Sequence, residues 1–414
     1  MSDTDKLNYI RELANRYAEE ALSEREKSIL KRYRDHNGRK IVRPPVLVFE
    51  MPWGEFSSEE ELQCKCAGTR YHGIEDHIRK TLYQIKYFRD DYIVHPYYRV
   101  GISLRNTGNG ISVKEKFIPS TTGAYIGAHE YEDVLPDEES LEKIKLPVIT
   151  RDDESTDRWL EVVAEVFENI MPYKKCGHGF YFAAWDSIPQ YHGITNSMCD
   201  LYDRPEFMHA MMEKFTRINE SIIDQYEQLN VLDTDPYYLH CTPAATYDLP
   251  VKDLEKEQVY AKDVWCRAMA QIFAAVSPEM HQEFDFQYTK RLFDRCGLSY
   301  YGCCEPLDNK IELLKQYKNL RRISITPWAN PEAAAEKIGN DYIFSYKPNP
   351  AFVAEKTFDP EPVKAEIERV IKACRKNNTP VEFVLKDIST VSNNPNNIAR
   401  WVGTVNSVID KYYQ

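Results

Sequence analysis

The stretch Leu298-Ser299-Tyr300-Tyr301-Gly302-Cys303-Cys304-Glu305-Pro306-Leu307 begins as a short apolar and aromatic run and ends in two thiols and a carboxylate. The apolar run is typical of a buried strand. Pro306 ends that strand, because proline cannot donate to a strand ladder. The residues after it follow a helical pattern, with apolar side chains at Ile311, Leu313, Leu314 and Tyr317. The segment therefore predicts a strand, a reactive tip and a helix.

The same alternation of strand and helix recurs along most of the chain. Besides the central segment, strands are predicted at Pro45–Met51, Asp91–Pro96, His178–Asp186, Val231–His240, Leu320–Trp328, Asp341–Tyr346 and Val381–Asp387. A helix is predicted over about 260–275. Alternation of this kind indicates a parallel sheet with helices outside it. With about eight strands, the α/β fold is expected to be a (β/α)₈ TIM barrel, in preference to a doubly wound open sheet.

Two regions depart from the strand–helix pattern. Residues 1–40 are polar and helical in pattern, and they predict an N-terminal helical extension. Residues 41–414 then form the barrel. Within it, residues of about 100–150 are rich in glycine, threonine and serine, with short alternating runs. This part predicts a β-rich, hairpin-like insertion, because loops of such length have a function or a structure of their own.

Composition excludes several classes of protein. The chain has 414 residues, of which 43% are hydrophobic and 29% charged, with a net charge of −12 and no block of basic residues. A nucleic acid as main partner is therefore not expected. The first residues lack a signal-peptide pattern, and no apolar run approaches the ~18 residues of a membrane span. The chain is expected to be cytoplasmic, with its ten cysteines as thiols or ligands.

Candidate site residues lie where the predicted strands end, because the carboxyl ends of parallel strands meet at one edge. A thiol and carboxylates suit zinc. The predicted metal ligands are Cys304, Glu283 and Glu305, with Asp387 and His240 as further candidates. Strand alternation allows only one of the two adjacent thiols to face inward. Two alternatives to a metal site remain open. The cysteines can be buried, unreactive thiols, and the carboxylates of Glu283 and Asp387 can bond loop amides.

Other residues are candidates for chemistry and for substrate binding. Lys386 and Asp387 form a charged pair at a strand end, which suits acid or electrostatic catalysis, and Tyr301 is a third catalytic candidate. Aromatic side chains line pockets for small molecules, although they also fill ordinary cores. The predicted substrate-binding residues are Glu50, Trp53, His240, Tyr247, Trp328 and Lys347. No glycine-rich phosphate loop follows a predicted strand, which argues against a nucleotide cofactor.

Several segments resemble the uroporphyrinogen decarboxylase superfamily, and more closely its corrinoid-dependent zinc methyltransferases than authentic uroporphyrinogen decarboxylase. The likeness covers most of residues 150–410. Asp203–Phe207 looks like a helix start of that group, and Cys304–Leu314 is similar to its His-x-Cys-Gly strand and following Ile-Glu-Leu helix. Ser277–Phe284 and Asn393–Trp401 resemble two further segments. The resemblance places Cys304 on the zinc cysteine of the family.

The sequence also departs from that family pattern. Gly302 stands where the family has its zinc histidine, and Lys386-Asp387 stands near the second zinc cysteine. Phe49–Trp53 replaces the arginine-rich first strand that holds propionates in the decarboxylase. The resemblance therefore implies a methyltransferase with an altered metal shell, and not a porphyrinogen decarboxylase.

The function implied by the resemblance is metal-dependent transfer of a methyl group between a small methylated substrate and a corrinoid protein. The implied cofactors are zinc and a cobalamin (corrinoid) carried by the partner protein, and the superfamily tendency implies a homodimer. Two alternatives stay open: a cofactor-free, decarboxylase-like lyase acting on a small carboxylated substrate, and a non-catalytic barrel that binds a small ligand.

Overall fold

A computed structural model of the chain describes residues 2–118 and 127–413. Within these residues the strands are β1 (Val46–Val48), β2 (Tyr98–Gly101), β3 (Leu104–Asn106), β4 (Glu115–Ile118), β5 (Ala128–Tyr131), β6 (Ile149–Arg151), β7 (Tyr173–Cys176), β8 (Phe180–Phe182), β9 (Trp265–Ala268), β10 (Leu298–Tyr301), β11 (Leu320–Ile325), β12 (Ile343–Tyr346) and β13 (Val381–Leu385).

The α-helices of the same residues are α1 (Asp3–Ala21), α2 (Glu24–Asn37), α3 (His72–Tyr83), α4 (Glu138–Leu141), α5 (Asp153–Phe167), α6 (Ala184–His192), α7 (Ile194–Asp203), α8 (Pro205–Gln228), α9 (Pro278–His281), α10 (Gln287–Phe293), α11 (Ile311–Leu314), α12 (Pro331–Ile338), α13 (Ala351–Ala354), α14 (Pro360–Lys376) and α15 (Asn396–Ile409). No helix within residues 2–118 and 127–413 combines the length and the apolar character needed to cross a membrane.

The central sheet has seven strands in the order β1-β13-β12-β11-β10-β9-β8, and every neighbouring pair is parallel. The predicted α/β fold with a parallel sheet is therefore confirmed. The closed (β/α)₈ barrel is not confirmed, because in the described residues no hydrogen-bonded ladder joins the edge strands β1 and β8. Smaller two-stranded sheets pair β2 with β7, β3 with β6 and β4 with β5.

The open edge of β1 has a local cause. The backbone N–H groups of Val46 and Val48 donate to the side-chain carboxylates of Asp91 and Asp90, at 2.8 and 2.9 Å. Asp91 also donates its own N–H to the Val46 carbonyl at 2.7 Å. Side chains thus occupy the donors that a further strand would use. The strand predicted at Asp91–Pro96 is wrong for this reason, and the next strand begins at Tyr98.

The helix predicted over 260–275 is also wrong in its centre. Trp265–Ala268 is β9, an inner strand of the sheet with β8 and β10 on its two sides. A short apolar run has no periodicity that separates a buried strand from a buried helix. The strand predicted at His178–Asp186 is only Phe180–Phe182, and α6 begins at Ala184.

The two faces of the sheet pack against different partners. On one face Tyr301, Phe383 and other strand residues pack against the surrounding helices. On the other face Tyr300 and Val384 pack against the segment 237–245, which crosses the inner side of the sheet. Because successive strand residues point to opposite faces, neighbours in sequence such as Tyr300 and Tyr301 lie in separate cores.

A buried ion pair lies on the inner face. The Arg322 guanidinium contacts the Glu382 carboxylate, and both side chains are fully buried. Arg322 also donates to Thr242 Oγ1 at 2.8 Å and to Asn37 Oδ1 at 2.9 and 2.7 Å. The Glu382 carboxylate accepts from Thr242 and from Ser345. Every charged group of this network has partners, which is the condition for tolerating charge in a core.

Around the sheet, α1 packs on α3 and α5 in a separate apolar cluster. β4 and β5 form an antiparallel pair within the segment for which a hairpin-like insertion was predicted. The part of that insertion between residues 119 and 126 lies outside the described residues.

Candidate active site

Polar side chains converge just beyond the carboxyl ends of three strands of the central sheet, the neighbours β1 and β13 and the more distant β10. Glu50 follows β1, Cys304 follows β10, and Lys386 and Asp387 follow β13. His240 joins them from the segment that crosses the inner face. Sites at this edge of a parallel sheet are the rule in α/β enzymes, because the loops there meet above the sheet.

The backbone is strained at this cluster. Glu50, His240 and Asp387 have positive φ angles of 53°, 50° and 56°. Residues with a side chain rarely adopt this left-handed conformation, and each instance costs of the order of 1–3 kcal/mol. Glu50 contacts both His240 and Asp387, so the fold holds three such residues together against a local cost, as is frequent at functional sites.

Lys386 places a positive charge at the centre of the cluster. Its Nζ lies 3.0 Å from Cys303 Sγ, 3.3 Å from Cys304 Sγ and 2.8 Å from Asp387 Oδ2. The lysine is only 2% exposed. Burial lowers the pKa of Lys386, but the thiols of Cys241 and Cys303 and the Asp387 carboxylate outweigh it, so the net pKa is raised above its ordinary value. Lys386 is therefore a fixed cation.

Both adjacent thiols contact that cation, so the expectation that only one faces inward is wrong. The strand ends at Tyr301, and Gly302, with φ of 97°, turns the chain before the two cysteines. Strand alternation no longer applies beyond this turn. A hydrogen bond with Cys241 lowers the pKa of Cys303, but the contact with Cys304 and burial outweigh it and raise that pKa to about 12.

Glu50 and Asp387 form a carboxyl pair that holds one proton near neutral pH. Burial and a hydrogen bond shared with Asp387 raise the pKa of Glu50 to about 7. Burial alone would also raise the pKa of Asp387, but hydrogen bonds with Glu50 and Lys386 lower it below its ordinary value. The shared proton therefore belongs to Glu50. The Asp387 backbone N–H donates to Glu50 Oε2 at 3.0 Å and fixes the pair.

His240 lies on the other side of Glu50. Its Nε2 is 3.1 Å from Glu50 Oε1, and both side chains are 35% exposed. Burial, with the positive charges of Arg267, Lys386 and Lys347, lowers the pKa of His240 to about 4. His240 is thus neutral at pH 7 and orients the Glu50 carboxyl without adding charge.

A cavity of about 470 Å³ opens beside this cluster. Asp387, Lys386 and both thiols form one wall, and the other walls come from the loops after β11, β12 and β13. Trp328 lies at its edge and is 72% exposed. The Lys347 ammonium donates to Ser345 Oγ at 2.7 Å and to the Cys241 carbonyl at 2.9 Å. The volume suits a small molecule.

Comparison of the sequence with protein-family models and with characterised proteins gives no match. Among solved structures, the chain is similar to a methyltransferase from Methanosarcina mazei, with a TM-score of 0.48 and 9% sequence identity. The similarity extends over 92% of this chain and 97% of that chain.

The predicted metal ligands are not brought together. Glu283 lies on a helical segment, 53% exposed, with Oε1 3.3 Å from His209 Nε2. It was predicted at a strand end, but Ser277 caps a helix there and Pro278 begins it. Glu305 is fully buried, and its carboxylate accepts from the backbone N–H groups of Ala270 and Cys303 at 3.2 and 2.9 Å.

Cys304 instead contacts Asp387 at 3.1 Å. Across residues 2–118 and 127–413, no three histidine, cysteine or acidic side chains are arranged to hold a metal ion. The Lys386 ammonium occupies the centre between the thiols and Asp387, where it repels a second cation. The described residues therefore do not fit the zinc site that the resemblance implied.

Glu50 and His240 are not among the lining residues of the cavity, although Glu50 bonds its wall residue Asp387. Three more predicted residues lie farther from it. Tyr301 points to the helix-covered face, where its hydroxyl donates to Asp285 at 2.6 Å, because Tyr300 takes the inner face. Trp53 packs on Phe56, with ring centroids 5.4 Å apart. Tyr247 is exposed next to Asp248, which pairs with Arg321 at the beginning of β11, the end of the sheet opposite the site.

Sequence reasoning missed some cavity residues that a simple rule would have found. Thr326, Asn349 and Thr390 line the cavity, and each follows one of the strands β11, β12 and β13. Searching every strand end for polar residues would have selected them. No sequence pattern predicts the contact between Glu50 and His240, because the two residues are far apart in the chain.

Proposed function

We propose that the chain is an enzyme that moves a methyl group from a small methylated substrate, bound in the cavity beside Trp328, to a corrinoid protein. The observation that carries the proposal is the Glu50–Asp387 pair: Asp387 lines the cavity, its N–H donates to Glu50 Oε2 at 3.0 Å, and the pKa of Glu50 is raised to about 7. The motif resemblance of Cys304–Leu314 supports methyl transfer as the reaction class. Removing a methyl group from a neutral ether, amine or sulfide leaves an anion, which an acid stabilises by giving it a proton.

In the proposed step the bond between the methyl carbon and the substrate heteroatom breaks, and its electron pair stays on the heteroatom. That atom takes the proton held by Glu50 and Asp387. The corrinoid of the partner protein supplies the electron pair for the new bond to the methyl carbon. Glu50 is left as a carboxylate and regains its proton from water before the next turnover.

Lys386 has two tasks in this scheme. Its charge keeps Asp387 ionised, so that the shared proton remains on Glu50. It also attracts the negative charge that develops on the leaving heteroatom, and such fixed charges act strongly in a site that excludes water. The exposed ring of Trp328 offers an apolar surface for the body of the substrate.

The reaction is testable with free cob(I)alamin in place of the corrinoid protein. We expect methylcobalamin, followed by its absorbance, to form with at least one of three probe donors: 2-methoxyphenol, trimethylamine or dimethyl sulfide. Formation should depend on enzyme concentration, and the demethylated product should appear in equal amount by mass spectrometry. Failure of all three donors, or equal rates with and without enzyme, would contradict the proposal.

Metal content is a separate prediction. Because the predicted ligands do not converge and Lys386 occupies the centre of the cluster, we expect purified protein to contain zinc well below one equivalent per chain. Inductively coupled plasma mass spectrometry measures this directly, with Cys304→Ala as the matched variant. If the wild type contains one zinc per chain and Cys304→Ala contains none, this prediction is wrong, and Cys304 belongs to a metal site.

The decarboxylase-like lyase remains a second candidate, favoured by one observation. Two lysines, Lys347 and Lys386, line the same cavity, and paired ammonium groups suit a carboxylate substrate. In this case the Glu50 proton would replace the departing carbon dioxide on the substrate carbon. Release of carbon dioxide from a small carboxylic acid, without any methylcobalamin formation, would select this function over methyl transfer.

A further inference from the structure

A second cavity, of about 350 Å³, lies outside the candidate active site and shares none of its lining residues. Its walls are mostly aromatic. We call it the tyrosine cavity, and define it by Tyr17, His77, Tyr92, His95, Tyr97, Tyr98, Tyr237 and Tyr238, with Arg99 and Asp233. Nothing in the proposed reaction uses these residues.

Several polar groups of the tyrosine cavity have no partner. Among residues 2–118 and 127–413, none forms a hydrogen bond with the hydroxyl of Tyr92, Tyr98 or Tyr237. His95 is 9% exposed, and its Nδ1 is buried without a hydrogen bond. The nearest carboxylate oxygen, Oδ2 of Asp235, is 3.8 Å from that nitrogen. Of these four polar atoms only the His95 nitrogen is buried, and a buried polar atom without a partner costs free energy that a bound molecule can recover.

The aromatic rings are held rigidly by stacking. Tyr92 stacks on Tyr238 with centroids 5.0 Å apart, and Tyr237 stacks on His95 at 3.5 Å. Tyr98 stacks on Phe167 at 4.2 Å. Each of these four tyrosines is therefore fixed from one side, and little side-chain entropy is lost when a ligand binds against them.

The two charged residues that line the cavity, Arg99 and Asp233, neutralise each other. Arg99 pairs with Asp233 at 2.6 Å and donates to the Asp235 carbonyl at 2.8 Å. The Tyr97 hydroxyl donates to the Asp235 carboxylate at 2.5 Å. Burial, followed by the charge of Arg99, holds the pKa of His95 well below its ordinary value, so the imidazole is neutral. A charged ligand would lose its hydration there, and the paired Arg99 and Asp233 offer it no free counter-charge.

We propose that the tyrosine cavity is a second small-molecule site, for an uncharged planar ligand whose ring carries hydroxyl or amide groups. The ring packs between aromatic side chains, and its polar groups meet the unpartnered hydroxyls and the His95 nitrogen. The volume is at the low end for ligand pockets and suits a molecule of one or two rings.

The site lies directly behind the proton-carrying pair. Phe49 packs against Tyr238 at 5.3 Å and against Tyr92 at 6.4 Å, and Glu50 is the next residue in the chain. The segment that carries Tyr237 and Tyr238 continues to His240. An occupant of the tyrosine cavity therefore contacts the segment that leads to His240, and it is separated from Phe49 by the rings of Tyr92 and Tyr238.

Isothermal titration calorimetry with 4-hydroxybenzamide as the probe tests the proposal. The wild-type chain is expected to bind one equivalent. Tyr98→Phe combined with Tyr237→Phe keeps both rings and removes two hydroxyls, so binding is expected to weaken about tenfold or more. Trp328→Ala alters only the other cavity and should leave the affinity unchanged. The charged analogue 4-hydroxybenzoate should bind about tenfold more weakly than the amide.

Neither hydroxyl supports the fold through a hydrogen bond, so the double variant should keep the wild-type melting temperature in circular dichroism. If it does not, the single variants Tyr98→Phe and Tyr237→Phe replace it in the titration. The proposal is overturned if the probe does not bind, if removing the hydroxyls leaves the affinity unchanged, or if Trp328→Ala abolishes binding. Equal affinity for the benzoate would also overturn it, because the site would then accept charge.

Discussion

Glu50→Gln is expected to lower kcat for methyl transfer by about a hundredfold to ten-thousandfold, the typical contribution of a general acid. Glutamine keeps the size of the side chain and the hydrogen bond to the Asp387 backbone, but it carries no acidic proton. Initial rates of methylcobalamin formation at saturating donor measure the effect. Glu60→Gln is the matched control, because Glu60 is an exposed carboxylate at the start of the short 3-10 helix Glu60–Leu62, and the rate of this variant should be unchanged.

The pH dependence of the wild-type rate checks the same role. Glu50 acts in its protonated form, and its pKa is raised to about 7 by burial and by the carboxyl of Asp387. The protonated fraction is high below pH 7 and falls as the pH rises through that value. The rate should therefore decline above about pH 7, and the Glu50→Gln variant should lack this step. A rate that rises with pH through this range would show that Glu50 acts as a base instead.

Arg322→Met is expected to lower the free energy of unfolding by about 3–5 kcal/mol, the usual result of removing one partner of a buried ion pair. The change leaves the Glu382 carboxylate buried without its counter-charge and removes the bonds to Asn37 and Thr242. The charge of Arg322 helps to hold the pKa of Glu382 at about 2, although burial alone would raise it. Urea unfolding followed by circular dichroism measures the loss.

Two further variants separate the ion pair from general loss of packing. Adding Glu382→Gln to Arg322→Met removes the orphan charge, and should restore part of the lost stability. Arg369→Met breaks a surface pair with Glu332, with both side chains more than half exposed, and should cost less than about 1 kcal/mol. Similar losses in Arg322→Met and Arg369→Met would contradict the importance of the buried network.

Local patterns in the sequence predict the parallel sheet and several of the residues at the carboxyl ends of its strands, where the candidate active site lies. Glu50, Cys304, Lys386 and Asp387 each follow an apolar run, and the ends of parallel strands meet wherever such runs pair. The same reasoning is wrong for Glu283, because Ser277 caps a helix and Pro278 begins it. These capping signals in the sequence predict a helix at this position.

Other features depend on contacts between distant parts of the chain. The open edge of β1 results from two aspartates that bond backbone groups some forty residues earlier in sequence. Which tyrosine of Tyr300 and Tyr301 faces the inner core depends on the register of β10 within the sheet. The sequence around these residues carries no sign of either choice, because both faces of a buried strand are apolar.

The proposed reaction depends on a protonated Glu50 near neutral pH. Infrared spectroscopy measures this protonation state without a substrate. The absorbance of protonated carboxyl groups is recorded against pH for the wild type and for Glu50→Gln, and the two series are subtracted. Asp90 and Glu366, whose pKa values burial also raises to about 7, titrate in both proteins and cancel. The account predicts a single difference band that is lost as the pH rises through about 7. A band that is already lost near the ordinary glutamate value of about 4.5 would contradict it.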